Sequence, residues 1–100
     1  MDSILPSNDD IGHYLSLMVA HGASDLFLSS GSSAALKVQG VVRRLPEPPL
    51  DPARTQRLAY SVMRESQIRD FEATLESDLA IALPGLGRFR VNVYRQRGDV

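Results

Sequence analysis

Apolar positions in the first half of the chain recur at two different periods. Ile11, Tyr14, Leu15, Met18 and Val19 fall at helical spacing and Gly22 follows as a stop, which predicts a helix over about residues 9–20. Ser7 and Asp10 have capping-box spacing, with Asp9 or Asp10 as the alternative cap. The period then drops to two. Leu26 and Leu28 alternate with Asp25, Phe27 and Ser29, so residues 24–30 read as a strand. Gly31-Ser32-Ser33 breaks it. Ala35–Gln39 reads as a second strand with Leu36 and Val38 on one face, Gly40 marks a tight turn, and Val41–Leu45 returns as a third. Pro46, Pro48 and Pro49 end this meander, since proline donates nothing to a ladder.

The second half repeats the change of period in the same direction. Asp51-Pro52 is a helix start, with Asp as N-cap and Pro at the first helical position; Leu58, Ala59, Val62 and Met63 form the stripe behind it. Glu65–Leu75 reads as a further short helix with Ile68, Phe71 and Leu75 inward, and Arg64 falls in the break or continues the helix before it. From Ser77 to Leu83, Leu79, Ile81 and Leu83 alternate with Asp78, Ala80 and Ala82. Pro84-Gly85-Leu86-Gly87 is a turn, and Arg88 to about Gln96 is the longest strand. Phe89, Val91 and Val93 face the helices there; Arg88, Arg90, Asn92 and Tyr94 face away. The element order is α-β-β-β-α-α-β-β, an antiparallel α+β domain rather than a chain of βαβ units.

Composition narrows the function. At 100 residues the chain is one domain, and its 43% apolar content is too high for general disorder. Residues 1–10 are polar and read as a flexible N-terminus; the domain proper is 11–97. With no cysteine, disulfides, thiolate nucleophiles and zinc–thiolate sites are excluded. No apolar run approaches the roughly 18 residues of a membrane helix, and the first residues lack the basic region of a secretory signal, so a cytoplasmic setting is expected. The net charge is −1, but it is unevenly spread. Residues 1–36 hold four aspartates and no lysine or arginine. Residues 37–100 hold all eleven basic residues against eight acidic ones, a net of +3.

Most catalytic patterns are missing. There is no P-loop: Lys37 is the only lysine and lies in a predicted strand. Gly85-Leu86-Gly87 is a hairpin turn by the ordinary rules for glycine and proline. His13 sits away from most of the helical stripe and His21 at the helix end, where a cation suits the dipole; both read as surface or capping residues. Glu72 and Glu76, four apart, read as solvated surface.

The arginine strand carries the strongest signal. Arg88 and Arg90 are two apart, so a strand projects both to one face, with Asn92 and Tyr94 continuing the row. Arg95 and Arg97 project to the other side or splay at the strand end. Guanidinium groups on a rigid strand bind phosphate or carboxylate bidentately. The plainer alternative is a solvated face with the arginines paired to Asp25, Asp78 or Glu47. A nucleic-acid platform needs interleaved aromatics, and Tyr94 is alone, so no nucleic-acid partner is expected.

Gly22-Ala23-Ser24-Asp25-Leu26-Phe27-Leu28-Ser29, Leu36-Lys37-Val38-Gln39-Gly40, Asp70-Phe71-Glu72 and Gly87-Arg88-Phe89-Arg90-Val91-Asn92-Val93-Tyr94-Arg95-Gln96-Arg97 together give the chain a family resemblance. Over residues 11–97 it resembles the N-terminal domain of the type IV pilus retraction ATPases, the PilT/PilU family of twitching motility. Phe27, where the retraction ATPase proper usually has His, and Tyr94-Arg95-Gln96 make it more similar to the PilU branch. The resemblance implies a PAS-like antiparallel sheet with helices on one face. It implies a homo-hexameric motor whose C-terminal RecA-like ATPase domain, carrying the Walker motifs, ATP and Mg²⁺, follows this domain. This piece alone would then be non-catalytic and one strand short.

The implied partners are the ATPase domains of its own and neighbouring subunits, a pilus platform protein at the inner membrane, and a paralogous retraction ATPase. The implied nucleotide-facing residues are Arg88, Arg90, Arg95 and Arg97, with Asp25 organising Arg88 or Arg90. The alternatives are a free-standing PAS-like sensor or interaction module, and the N-domain of a related secretion or assembly ATPase.

Overall fold

The computed structural model describes residues 11–83 and 87–95. The expectations for the 1–10 tail, the Ser7 and Asp10 cap, the 84–86 turn and Arg97 lie outside them. Within them the element order is as read: α1 Ile11–His21, β1 Ala23–Ser29, β2 Ala35–Val38, β3 Val41–Arg44, α2 Pro52–Tyr60, α3 Glu65–Thr74, β4 Glu76–Leu83 and β5 Gly87–Tyr94. The fold class is α+β.

Local chemistry sets the boundaries. Asp51 accepts the backbone N–H of Arg54 at 2.7 Å, and Pro52 occupies the first helical turn, so α2 starts where the sequence says. Arg64 is extended and serves as the N-cap of α3; its own backbone N–H donates to Gln67 Oε1 at 2.8 Å. Leu75, expected inside α3, is instead its C-cap in the left-handed region at φ 66°. Thr74 Oγ1 bonds back to the Asp70 carbonyl, closing the last turn. The β2–β3 link is a two-residue turn: Val38 pairs with Val41, and Gln39 and Gly40 both have positive φ. Two positive φ values match the right-handed twist of a hairpin.

The five strands form one sheet in the order β3-β2-β1-β5-β4. Three of its four neighbouring pairs are antiparallel as expected, β2–β3, β1–β2 and β4–β5. The central pair is different: β1 and β5 run parallel, Asp25 opposite Arg90 and Leu28 opposite Val93, so the sheet is mixed rather than wholly antiparallel. The two helices between β3 and β4 carry the chain back across the sheet, which lets β5 enter beside β1 in the same direction. Neither strand carries the unbroken apolar run typical of parallel pairs, because among the described residues the helices cover only one sheet face.

The core lies on the other face. Leu26, Leu28, Val91 and Val93 pack under Tyr14 and Met18 of α1, Leu58 and Ala59 of α2, and Phe71 of α3. Phe89 and Leu79 are buried and Ile81 packs against the same cluster, so these side chains occupy the layer between sheet and helices. Val19, read as part of the α1 stripe, is 43% exposed. A helix turn of 100° per residue carries it past the edge of the docked stripe.

Candidate anion-binding face

The helix-free face of the sheet is where the polar halves of the alternating strands gather. Ser24, Asp25, Phe27 and Ser29 come from β1, Lys37 from β2, Asp78 and Ala80 from β4, and Arg88, Arg90, Asn92 and Tyr94 from β5. Ser24 is the extra residue where the β1–β2 register shifts between Ala23 and Asp25. A shallow depression of about 510 Å³ opens at this end of the face, lined by Ser24, Asp25, Ala80, Arg88, Phe89 and Arg90.

Asp25 is the fixed point of the cluster. Its side chain is only 15% exposed. It accepts Ser24 Oγ at 2.7 Å on Oδ1 and Asn92 Nδ2 at 3.3 Å on Oδ2. Asn92 itself is buried and also donates toward the Leu26 carbonyl. Arg90 lies over this group. Its Nε is 4.0 Å from Asp25 Oδ2 and 3.6 Å from Asp78 Oδ1. Asp25 therefore serves Arg90, not Arg88. Among the described residues, no carboxylate stands in ion-pair range of Arg88, which is exposed at the mouth of the depression.

The four sequence candidates do not converge. Arg88 and Arg90 share this face. Arg95 lies past the end of β5 on the helix side, where its Nη1 donates to Gln56 Oε1 of α2 at 3.4 Å and its backbone N–H to the Leu75 carbonyl. Strand alternation dictates this, since Arg95 is an odd number of residues from Arg88 and Arg90. Arg97 lies outside the described residues. What the sequence reading missed is Asn92 as a buried holder of Asp25; its one signal was an amide following two arginines in the same row.

The remaining candidates are structural. Glu47, offered as an arginine partner, instead meets His13 Nε2 at 2.7 Å and accepts the Tyr14 hydroxyl at 3.3 Å. His13 is thus half-buried rather than a free surface residue, and it ties α1 to the proline-rich link. Burial pushes the Tyr14 phenol up, with Glu47 adding to the effect and Arg54 opposing it. Tyr60 is raised too, by burial first and then by its bond to Glu72. Glu72 and Glu76 do not form a pair on one helix face, because Glu76 begins β4. Among the described residues, no group of three or more His, Asp or Glu is placed to hold a metal ion. No helix there is long and apolar enough to cross a membrane.

These features define a small α+β domain, backed by helices on one side and presenting arginines on the other. No protein-family model matches it. Individual proteins do. The chain is 42% identical over 87 residues to the type IV pilus retraction ATPase PilT of Pseudomonas aeruginosa, covering 87% of this chain and 25% of that protein. It is 43% identical over 86 residues to the type IV pilus ATPase PilU of the same organism, covering 86% of this chain and 22% of that one. A crystal structure of the pilus retraction motor PilT with bound ADP matches 86% of the chain and 25% of its own length, with a TM-score of 0.65 and 38% identity.

The chain is a homologue of the N-terminal domain of the PilT/PilU family. It is equally similar to both branches, and it spans about a quarter of the length of these relatives.

Proposed function

We propose that the chain is the non-catalytic N-terminal domain of a type IV pilus retraction motor, working in the cytoplasm at the pilus base. In this reading the ATPase domain of the same protein holds ATP and Mg²⁺, and the subunits assemble as a homo-hexamer. The present domain couples nucleotide state to movement between subunits. The supporting observation is the pairing of Arg88 and Arg90 on an uncovered sheet face, in a domain related to a motor solved with bound ADP. Guanidinium groups on a rigid strand complement phosphate charge without reorganising. Docked against a neighbouring ATPase domain, Arg88 meets phosphate oxygens while Asp25 and Asn92 keep the strand surface in register. A platform protein at the inner membrane and a paralogous retraction ATPase are the further partners this reading assigns.

The apolar side chains that occupy the layer between sheet and helices favour this reading over a sensor that binds its ligand there. The test is substitution in the full-length protein. Arg88→Ala is expected to lower the ATPase rate at least about tenfold, toward the roughly 10³- to 10⁵-fold loss seen when an arginine that stabilises a phosphoryl transition state is removed. Unchanged nucleotide affinity and rate in both Arg88→Ala and Arg90→Ala would remove this face from the nucleotide site.

A further inference from the structure

Arg88 and Arg90 look equivalent in the sequence, but their surroundings differ. Arg90 has carboxylates on two sides, from β1 and from β4. One of them, Asp25, is largely buried and held in place by Ser24 and Asn92. The other, Asp78, is 62% exposed and sits on the edge strand. One positive charge thus faces two negative ones. Arg88, two residues along the same face, has no such neighbour among the described residues. The two arginines open on the same depression.

We infer that Asp25 and Asp78 form a carboxylate latch on Arg90, competing with an incoming phosphate-class anion for its guanidinium. The inference rests on the reading of this face as phosphate-facing. Arg88 makes the first contact. Arg90 joins only when the anion outcompetes the latch, so a multiply charged phosphate recruits both arginines and a singly charged anion only Arg88. Asp25 and Asp78 are then positioning residues that set the threshold for binding. They contribute repulsion as well as a competing partner, the usual means of rejecting the weaker ligand.

The experiment is a titration of the 100-residue chain with inorganic pyrophosphate at low ionic strength, followed by NMR shifts of the backbone amides and the Arg88 and Arg90 Nε–H groups. Low salt matters because exposed pairs are screened within about 10 Å at 0.1 M. Asp25→Asn and Asp78→Asn are each expected to tighten binding about two- to fivefold, the range set by exposed ion pairs. Asp70→Asn on α3, the same change in net charge on the helix side, is expected to leave affinity unchanged.

Equal tightening by Asp70→Asn would reduce the effect to net charge and overturn the latch. Loss of binding in Arg88→Gln with no tightening in either aspartate variant would overturn the latch while sparing the phosphate-facing reading. Tightening in the aspartate variants with no effect of Arg88→Gln would support the latch and overturn the role of Arg88. Absence of binding in every variant would overturn both. Amide spectra unchanged outside β1, β4 and β5 establish that the variants are folded.

Discussion

Asn92 Nδ2 donates to Asp25 Oδ2 at 3.3 Å across the parallel β1–β5 pair, joining two residues 67 apart in sequence. The bond ties the strand that opens the sheet to the strand that closes it. Asn92 is buried, so the partner it leaves behind matters as much as the bond lost. Asn92→Ala is expected to cost about 1–2 kcal/mol in urea unfolding. Asn92→Asp is the sharper test. It sets a second carboxylate beside Asp25, and like charges at that range oppose joint ionisation. Its loss at pH 7 should exceed that of Asn92→Ala and should shrink as the pH falls toward 4. A loss independent of pH would show that the two side chains do not meet.

The β2–β3 turn offers a test of backbone conformation alone. Gln39 has φ 51° and Gly40 φ 82°, and no described atom lies within 4 Å of a Cβ built on Gly40. Space is therefore not the issue, and only the backbone resists a side chain. Gly40→Ala should lower stability by about 1 kcal/mol. Gln39→Asn supplies the residue most at ease in the first position of this turn, and should raise stability by about 0.5 kcal/mol. Thermal melts of the two variants should shift in opposite directions.

Much of this architecture is legible before any coordinates. Asp51-Pro52, Gly40 and the alternation of Leu26 with Leu28 or Val91 with Val93 are local signals, and local signals fix local structure. Pairing between distant strands is not local. Nothing in residues 23–29 or 87–94 states that β1 and β5 run parallel, because alternation reports which face is buried and not which strand is adjacent. The same limit hid His13–Glu47, 34 residues apart, and made Leu75 look like one more helical residue when it is a left-handed cap, its N–H donating to the Phe71 carbonyl and its own carbonyl accepting from the Arg95 N–H. For the candidate site, strand period two was enough to bring Arg88 and Arg90 together. It was not enough to show that Arg90 is already engaged, since Asp25 and Asp78 arrive from other strands.

Glu47 anchors the proline-rich link to α1 through His13 and Tyr14. Its side chain is 17% exposed, so its loss leaves two donors in a mostly dry place. Glu47→Ala should destabilise the domain by about 1–2 kcal/mol, and Glu47→Gln, which keeps an acceptor oxygen, should recover part of that. Amide exchange should quicken in residues 45–50 and the first turns of α1 before it does in β5. Uniform quickening would argue that Glu47 supports the whole fold rather than this joint.

Tyr14 connects the same joint to an alkaline transition. Its hydroxyl donates to Glu47 Oε1 at 3.3 Å and accepts from Arg54 Nη2 at 3.1 Å. Burial raises its pKa above the ordinary value of 10.0, with Glu47 contributing and Arg54 partly opposing. A raised phenol pKa means that the folded state holds its proton more tightly than the unfolded state. The stabilisation is complete below the ordinary value and is lost as the pH rises through the raised one. Melting temperature should therefore fall as the pH is taken above about 10, where an ordinary phenol ionises. Tyr14→Phe has no proton to lose at this position. It should start lower at pH 7 for want of the hydroxyl's bonds and fall less steeply with pH. Tyr60 also has a raised pKa and supplies a residual slope, so Tyr60→Phe is the companion measurement. Parallel wild-type and Tyr14→Phe curves would show that ionisation of Tyr14 plays no part in the alkaline transition.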